Sequence, residues 1–195
     1  MKLIYIRPGK SQGYLSLGVY DGEEKLSFTV SEQTYAEMGA PLVNDVLSRD
    51  MLSAAEYSDE LYRARMHALR MLSFADNNER TMIRKLIAKG IGRDVATDVA
   101  REMVSRGYID EERQLRRLVM NEANVALSGP AKIRAKLISK GYASADIDGA
   151  IDALLESGEI DFSRSAELLK AKKLTRGATE EEIKRLLYKN GYTLC

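Results

Sequence analysis

One short phrase of basic and apolar residues occurs three times in the chain. It reads RKLIAKG at residues 84–90, AKLISKG at residues 135–141 and, with more substitutions, RLLYKNG at residues 185–191. The closing glycines lie 51 and then 50 residues apart (141 − 90 and 191 − 141). A fixed period of this length is typical of helical repeat proteins, in which each unit covers the apolar face of the next.

Helical spacing of apolar residues extends from about Tyr57 to the end of the 195-residue chain. Gly, Asn and Ser separate the segments, and three segments make up one unit. The predicted helices are 59–73, 77–89 and 93–106, then 110–126, 130–140 and 144–157, and finally 161–173 and 179–190. The predicted fold class is therefore mainly α, a right-handed helical stack of tandem three-helix repeats whose third repeat is truncated.

Glycine and aspartate mark the ends and beginnings of the predicted helices. A helix commonly ends at a residue in the left-handed conformation, which glycine adopts without steric cost. Asp110 and Asp161 are expected to accept hydrogen bonds from the free amides at the next helix start. The predicted helix-ending residues are Gly90, Gly107, Gly141, Gly158 and Gly191.

The first sixty residues have a different pattern. Leu15–Val19 and Leu26–Val30 alternate apolar with small or polar residues on either side of Asp21-Gly22, which predicts a β-hairpin. Leu3–Ile6 is expected to add a third strand, because an isolated hairpin is only marginally stable in water.

Two helical segments are expected after the hairpin. Ser31 is a candidate helix start, and Pro41 is expected to open a second segment. The predicted domains are a small β-rich, hairpin-containing N-terminal module with short helices at 1–56, repeat 1 at 57–109, repeat 2 at 110–160 and a partial repeat 3 at 161–195.

The formal net charge of +1 is unevenly distributed. Residues 1–60 hold 5 Lys/Arg against 10 Asp/Glu, whereas residues 61–195 hold 25 against 19. Basic residues recur on the middle helix of each predicted repeat, opposite its apolar stripe. They form either a solvated face that complements the helix dipole or a binding stripe for an anionic partner. The candidate binding residues are Arg84, Lys85, Lys89, Lys132, Arg134, Lys136, Lys140, Lys184 and Arg185.

The chain offers no convincing catalytic or metal-binding set. His67 is the only histidine, and Cys195 is the only cysteine and the last residue. A nucleophile paired with histidine therefore has no clear members, and zinc has no ligand cluster. Gly90-Ile-Gly92 lacks the third glycine of a dinucleotide-binding loop. We expect a non-enzymatic protein with no cofactor and no metal.

The composition is that of a soluble globular protein, with 45% apolar and 30% charged residues. No apolar run approaches the roughly 18 residues needed to cross a bilayer, so we expect a cytoplasmic protein without a membrane partner. We also expect a monomer. The tyrosines beside the helix-ending glycines are expected to pack over helix ends instead of stacking on nucleic-acid bases. They are Tyr108, Tyr142, Tyr188 and Tyr192.

Four phrases occur together in the helical part: ALRML at 68–72, ERTMIRKLIAKG at 79–90, GYID at 107–110 and SGPAKIRAKLISKG at 128–141. Together they resemble the RecX family of bacterial recombination regulators. The resemblance covers about residues 57–192, and the hairpin region is similar to the amino-terminal extension of longer members.

The resemblance implies a protein that binds the RecA recombinase filament on single-stranded DNA and inhibits its ATPase, strand-exchange and co-protease activities. Such a protein is a negative regulator of homologous recombination, with a place in DNA repair and the SOS response. The residues that match the family's basic repeat positions are Lys85, Lys89, Arg134, Lys136 and Lys140.

Two alternatives stay open on the sequence. In the first, the basic stripe contacts the phosphates of single- or double-stranded DNA directly. In the second, the repeats form a non-enzymatic adaptor that binds an unrelated protein.

Overall fold

The computed structural model describes residues 1–174 and 177–193 of the chain. Cys195, for which the sequence suggested no role, lies outside the described residues. The chain forms two compact units. The first consists of Met1–Ala75 with Met82–Met103, and the second consists of Asp76–Thr81 with the described residues from Val104 onward.

The first unit begins with a three-stranded antiparallel sheet in the order β1-β2-β3. The strands are β1 Lys2–Pro8, β2 Tyr14–Tyr20 and β3 Lys25–Ser31. The predicted hairpin and the predicted third strand are therefore confirmed. One face of the sheet is apolar because alternate residues point to the same side of a strand. Leu3, Leu17, Val19 and Val30 of this face form a core with residues that follow the sheet, which are Met38, Leu47 and Ala55.

Two helices follow the sheet, α1 at Glu32–Glu37 and α2 at Arg49–Phe74. Ser31 caps α1 as predicted, since its side chain accepts a hydrogen bond from the Thr34 amide. Ser48 caps α2 in the same way through the Met51 amide.

The predicted helical segment after Pro41 is wrong. Asn44 has a left-handed backbone with φ of 84°, and its amide donates to the Leu3 carbonyl at 2.8 Å. The Leu3 amide in turn donates to the Asp45 carbonyl at 2.9 Å. This segment therefore satisfies its backbone along the open edge of β1 instead of within a helix.

The opposite edge of the sheet is covered by α2. The Thr29 amide donates to the Asp59 carboxylate at 2.8 Å, and the Ser31 amide donates to the Ser58 hydroxyl at 3.0 Å. These side chains occupy donors that would otherwise be open for pairing with another strand. The remaining helices of this unit are α3 at Glu79–Ile87 and α4 at Arg93–Ser105. The first three residues of α3 and the last two residues of α4 belong to the second unit.

The second unit is helical in its described part. Its helices are α5 Glu111–Met120, α6 Pro130–Ser139, α7 Ser144–Glu156, α8 Phe162–Leu174 and α9 Glu180–Lys189. Its core joins α5, α6 and α7 through Leu115, Val119, Ile133, Leu137, Ile147, Ile151 and Leu154. The mainly α fold preceded by a small β module is thus as predicted.

The predicted helix ends are confirmed by the backbone. All five glycines have positive φ: Gly90 83°, Gly107 72°, Gly141 98°, Gly158 69° and Gly191 83°. The two aspartate caps are also present. Asp110 accepts from the Arg113 amide at 3.0 Å, and Asp161 accepts from the Ser163 amide at 2.8 Å.

The helix predicted at 110–126 is α-helical in its first part and π-helical in its second part. Its α-helical part ends at Met120, and Asn121–Val125 forms a π-helical turn. The predicted domain boundaries stay predictions. The first of them, between residues 56 and 57, lies inside the continuous helix α2.

Candidate functional site

Three of the nine candidate binding residues lie in the first unit. Arg84 and Lys85 are on α3, and Lys89 is in the turn between α3 and Gly90; all three side chains are exposed. In the described part of the chain, Arg84 and Lys89 form no ion pair. The positive charge of these two side chains is therefore available to a partner.

On α6 two candidate residues are ion-paired. Arg134 pairs with Asp148 of α7. Lys136 pairs with Glu122 of the π-helical turn, whose side chain is only 8% exposed. Glu122 also accepts a hydrogen bond from the Ser128 hydroxyl at 3.3 Å. The positive charges of Arg134 and Lys136 are therefore paired with carboxylates of the same unit.

The two candidates on α9 are paired within their own helix. Lys184 lies 3.2 Å from the Glu180 carboxylate, and Arg185 lies 3.3 Å from the Glu181 carboxylate. Both pairs are spaced i, i+4 and are largely exposed, so each contributes only about 0.3–0.5 kcal/mol and exchanges readily.

The remaining two candidates are at the ends of α6. Lys132 in its first turn donates to the Asn190 side-chain oxygen at 2.7 Å. Lys140, just past the last turn, is exposed and forms no ion pair with any described residue. Among the candidate binding residues of the second unit, Lys140 is therefore the one whose positive charge is most available to a partner.

A hydrogen-bonded junction joins the beginning of α3 to the end of α6. The Lys140 carbonyl accepts from the Asn78 side-chain amide at 3.1 Å and from the Thr81 hydroxyl at 3.2 Å. Asn78 also caps α3 by accepting from the Thr81 amide at 2.8 Å. A Cβ placed on Gly141 would lie 3.5 Å from Cδ of Arg80, so this cation extends over the same turn.

A comparable junction, made by backbone donors instead of side-chain donors, lies one repeat later between the beginning of α6 and the end of α9. The Asn190 carbonyl accepts from the Gly129 amide at 2.7 Å, and the Gly191 carbonyl accepts from the Ala131 amide at 3.3 Å. Lys140 and Asn190, the two acceptors that end α6 and α9, are 50 residues apart. The residue before the helix-ending glycine is therefore a hydrogen-bond acceptor in both repeats.

The tyrosines beside the helix-ending glycines divide into two pairs. Tyr142 and Tyr192 are buried; Tyr142 donates to the Gln114 side chain at 2.9 Å and Tyr192 to the Leu127 carbonyl at 3.1 Å. Burial raises the pKa of both phenols, and the charge of Glu111 adds to the rise at Tyr142. The packing prediction is confirmed for these two and is wrong for Tyr108 and Tyr188, which are 54% and 75% exposed.

Sequence reasoning missed the carboxylate partners of the basic residues. Glu122 is the clearest case, because it precedes the α6 phrase by a loop and an irregular helical turn. The predicted alignment of basic residues from successive repeats along one flank stays a prediction. Among the described residues, no group of His, Cys, Asp and Glu side chains could hold a metal ion. No described helix combines the length and apolar character needed to span a membrane.

The helices, the recurring junctions and the exposed cations define a helical repeat protein with an antiparallel sheet at its beginning. No protein-family model matches the chain. Two relatives are both named regulatory protein RecX. The protein from Leuconostoc citreum is 23% identical over 82% of this chain, and that from Geobacillus kaustophilus is 24% identical over 88% of it.

A crystal structure of regulatory protein RecX has the same fold. It superposes with a TM-score of 0.73 at 21% identity, covering 98% of this chain and 94% of that one. The chain is thus similar in sequence to proteins named regulatory protein RecX, and it shares the fold of one of them. It spans 58% and 65% of the lengths of the Leuconostoc and Geobacillus relatives.

Proposed function

We propose that the chain is a negative regulator of homologous recombination. It binds the RecA recombinase filament on single-stranded DNA and inhibits the ATPase, strand-exchange and co-protease activities of the filament. The relatives named regulatory protein RecX support a regulatory role in general. The observation that carries the finer proposal is the junction that recurs after 50 residues with cationic side chains beside it.

A repeated structure suits a repetitive partner. A helix of about 12 residues is roughly 18 Å long, so stacked repeats of such helices are large enough to contact more than one subunit of a filament. Each exposed cation contributes little alone, and several that meet a periodic acidic or phosphate surface act together. Such a contact across neighbouring subunits hinders the subunit movements that ATP turnover requires.

The nine candidate residues are not equivalent in this proposal. Arg84, Lys89 and Lys140 are exposed without an ion pair in the described residues, so a partner gains their full charge. Lys136 would have to give up its bond to the buried Glu122 carboxylate. The first three are therefore the residues whose substitution tests binding with the least effect on folding.

The test is the affinity of the protein for a preformed filament of RecA on single-stranded DNA. The combined substitution Arg84→Glu, Lys89→Glu and Lys140→Glu is expected to weaken binding by about tenfold or more, equivalent to about 1.4 kcal/mol. The control is Arg49→Glu, an exposed cation at the first position of α2 where a carboxylate is compatible with the helix dipole.

Three results are informative. Loss of filament binding in the triple variant but not in Arg49→Glu supports the proposal. Equal binding by the triple variant and the wild type contradicts the assignment of these residues. Binding to bare DNA that falls in parallel with filament binding favours direct phosphate contact as the source of the affinity.

A further inference from the structure

We propose that the outer face of the amino-terminal sheet is a contact surface for single-stranded nucleic acid, separate from the basic helix residues. We define the outer sheet face by six side chains that point away from the core: Lys2, Tyr5, Arg7, Tyr20, Lys25 and Ser27. The proposal stands independently of recombinase binding.

Strand register places these residues together. Tyr20 in the central strand is paired with Lys2 on one side and Lys25 on the other. One row further along, Gly18 is paired with Tyr5 and with Ser27. The register shift between Leu3 and Tyr5 keeps Leu3 in the core while Tyr5 turns outward.

The ring of Tyr5 lies flat across the central strand. A Cβ on Gly18 would stand 2.0 Å from Cε1 of Tyr5, so only glycine leaves room for this ring. The Tyr5 hydroxyl donates to the Ser27 hydroxyl at 3.0 Å, which holds the ring over the central strand. Hydrogen bonding with Ser27 and then Ser16 lowers the pKa of the phenol. The guanidinium of Arg7 covers the ring at 4.6 Å from its centroid.

The result is a three-layer stack of strand backbone, aromatic ring and planar cation. Unpaired bases stack on aromatic rings and on guanidinium planes, because every base has a π face and the guanidinium adds a cation–π attraction. Tyr20, which is 37% exposed, supplies a second aromatic group at the other end of the same face. Its hydroxyl is held by the Gly22 carbonyl at 2.6 Å.

Charge on this face has one sign. Residues 1–60 contain twice as many acidic as basic residues, yet β1, β2 and β3 contain no Asp or Glu. Lys2, Arg7 and Lys25 are exposed and form no ion pair with described residues. The nearest acidic side chains along the chain are in the β2–β3 turn, where the Asp21 carboxylate already accepts from the amides of Glu23 and Glu24 at 2.8 Å.

These features favour single strands over duplex. A stacking site requires bases whose faces are open, and three separated cations match the phosphates of an extended strand. The core that α2 forms with the sheet, through residues such as Leu17 and Ala55, is on the other side of the sheet. On the same face of β2, Tyr14 lies two outward positions beyond Gly18 and contacts Tyr62 of α2 with ring centroids 4.8 Å apart, so the open surface ends there.

The experiment measures fluorescence anisotropy of a labelled 15-nucleotide oligothymidylate titrated with the full chain at low salt. Arg7→Glu and Lys25→Glu are each expected to weaken binding about fivefold to tenfold and to reduce the salt slope by about 0.7 or more. Tyr5→Leu keeps apolar cover on Gly18 but removes the ring that supports the Arg7 guanidinium plane, and it is expected to weaken binding about tenfold. Arg49→Glu is the matched control and is expected to bind as the wild type does.

Several outcomes would overturn the proposal. They are the absence of saturable binding, unchanged affinity in both charge variants, and binding to a 15-base-pair duplex as tight as to the single strand. Loss of binding in Arg84→Glu/Lys89→Glu/Lys140→Glu combined with full binding in the sheet variants would also overturn it. The charge variants change exposed residues, so they keep the test valid if Tyr5→Leu fails to fold.

Discussion

Lys136 on α6 is ion-paired with Glu122, a carboxylate that is 8% exposed in the π-helical turn after α5. The pair joins two helices of the second unit, and Ser128 donates a further hydrogen bond to the same carboxylate. A residue selected from the sequence for its positive charge therefore has a structural role as well. Its substitution tests folding and binding at the same time.

We predict that Lys136→Ala lowers the free energy of unfolding by about 1–2 kcal/mol. The change leaves a buried carboxylate without its cation, and the value is below that of a fully buried pair because Lys136 is half exposed. Urea denaturation followed by circular dichroism measures it. Lys140→Ala, at an exposed position without an ion pair among described residues, is the control and should change stability by less than about 0.5 kcal/mol.

A double-mutant cycle separates the ion pair from other effects of Lys136→Ala. In a Glu122→Gln background, the same substitution should cost much less, since no buried charge remains. An equal cost in both backgrounds would show that Lys136 stabilises the unit through its aliphatic chain instead.

The close approach between Gly191 and α6 gives a second prediction. A Cβ on Gly191 would lie 2.3 Å from the Lys132 backbone nitrogen, and the residue has φ of 83°. Gly191→Ala is expected to cost about 2–4 kcal/mol, because backbone strain is added to a clash that only movement of the backbone can relieve.

Gly158→Ala is the matched control for that prediction. Gly158 also has a positive φ, of 69°, but an added Cβ would meet no atom within 4 Å. It should cost only about 1 kcal/mol. Similar urea midpoints for the two variants would contradict the importance of the junction between α6 and α9.

The buried tyrosines predict a loss of stability at high pH. The pKa of Tyr142 is raised first by burial and then by the charge of Glu111, and burial also raises the pKa of Tyr192. An unfolded tyrosine loses its proton near pH 10 whereas the folded one retains it, so stability is complete below about pH 10 and falls above it.

Unfolding midpoints measured between about pH 8 and pH 11 test this. Tyr142→Phe should reduce the fall above pH 10, although losing the hydrogen bond to Gln114 should cost about 1 kcal/mol at neutral pH. The exposed Tyr188→Phe is the control. A decline as steep in Tyr142→Phe as in the wild type and the control would refute the contribution of Tyr142.

Features determined by local backbone chemistry could be predicted from the sequence. Gly107 and Gly158 end helices because they can adopt a positive φ, and Asp110 and Asp161 cap the next helices because their oxygens reach nearby amides. The hairpin followed from alternation around Asp21-Gly22. Each of these signals lies within a few residues of the structure that it determines.

Features determined by distant partners could not be predicted. Pro41 is a common first helical residue and predicts a helix through Asn44 and Asp45, but these two residues form backbone hydrogen bonds with the open edge of β1 instead. The hydrogen bonds from the β3 backbone amides to Ser58 and Asp59 likewise depend on how α2 packs against the sheet edge. Charge and period identify the candidate binding residues, and neither property reveals that Arg134 and Lys136 have carboxylate partners.

The rate of ATP hydrolysis by RecA on single-stranded DNA, measured while this protein is added, tests the central claim most directly. We predict that turnover falls in a saturable manner, and that Arg84→Glu/Lys89→Glu/Lys140→Glu requires at least about tenfold more protein for the same inhibition. Unchanged turnover with the wild-type chain at saturation on the filament would contradict the proposed function.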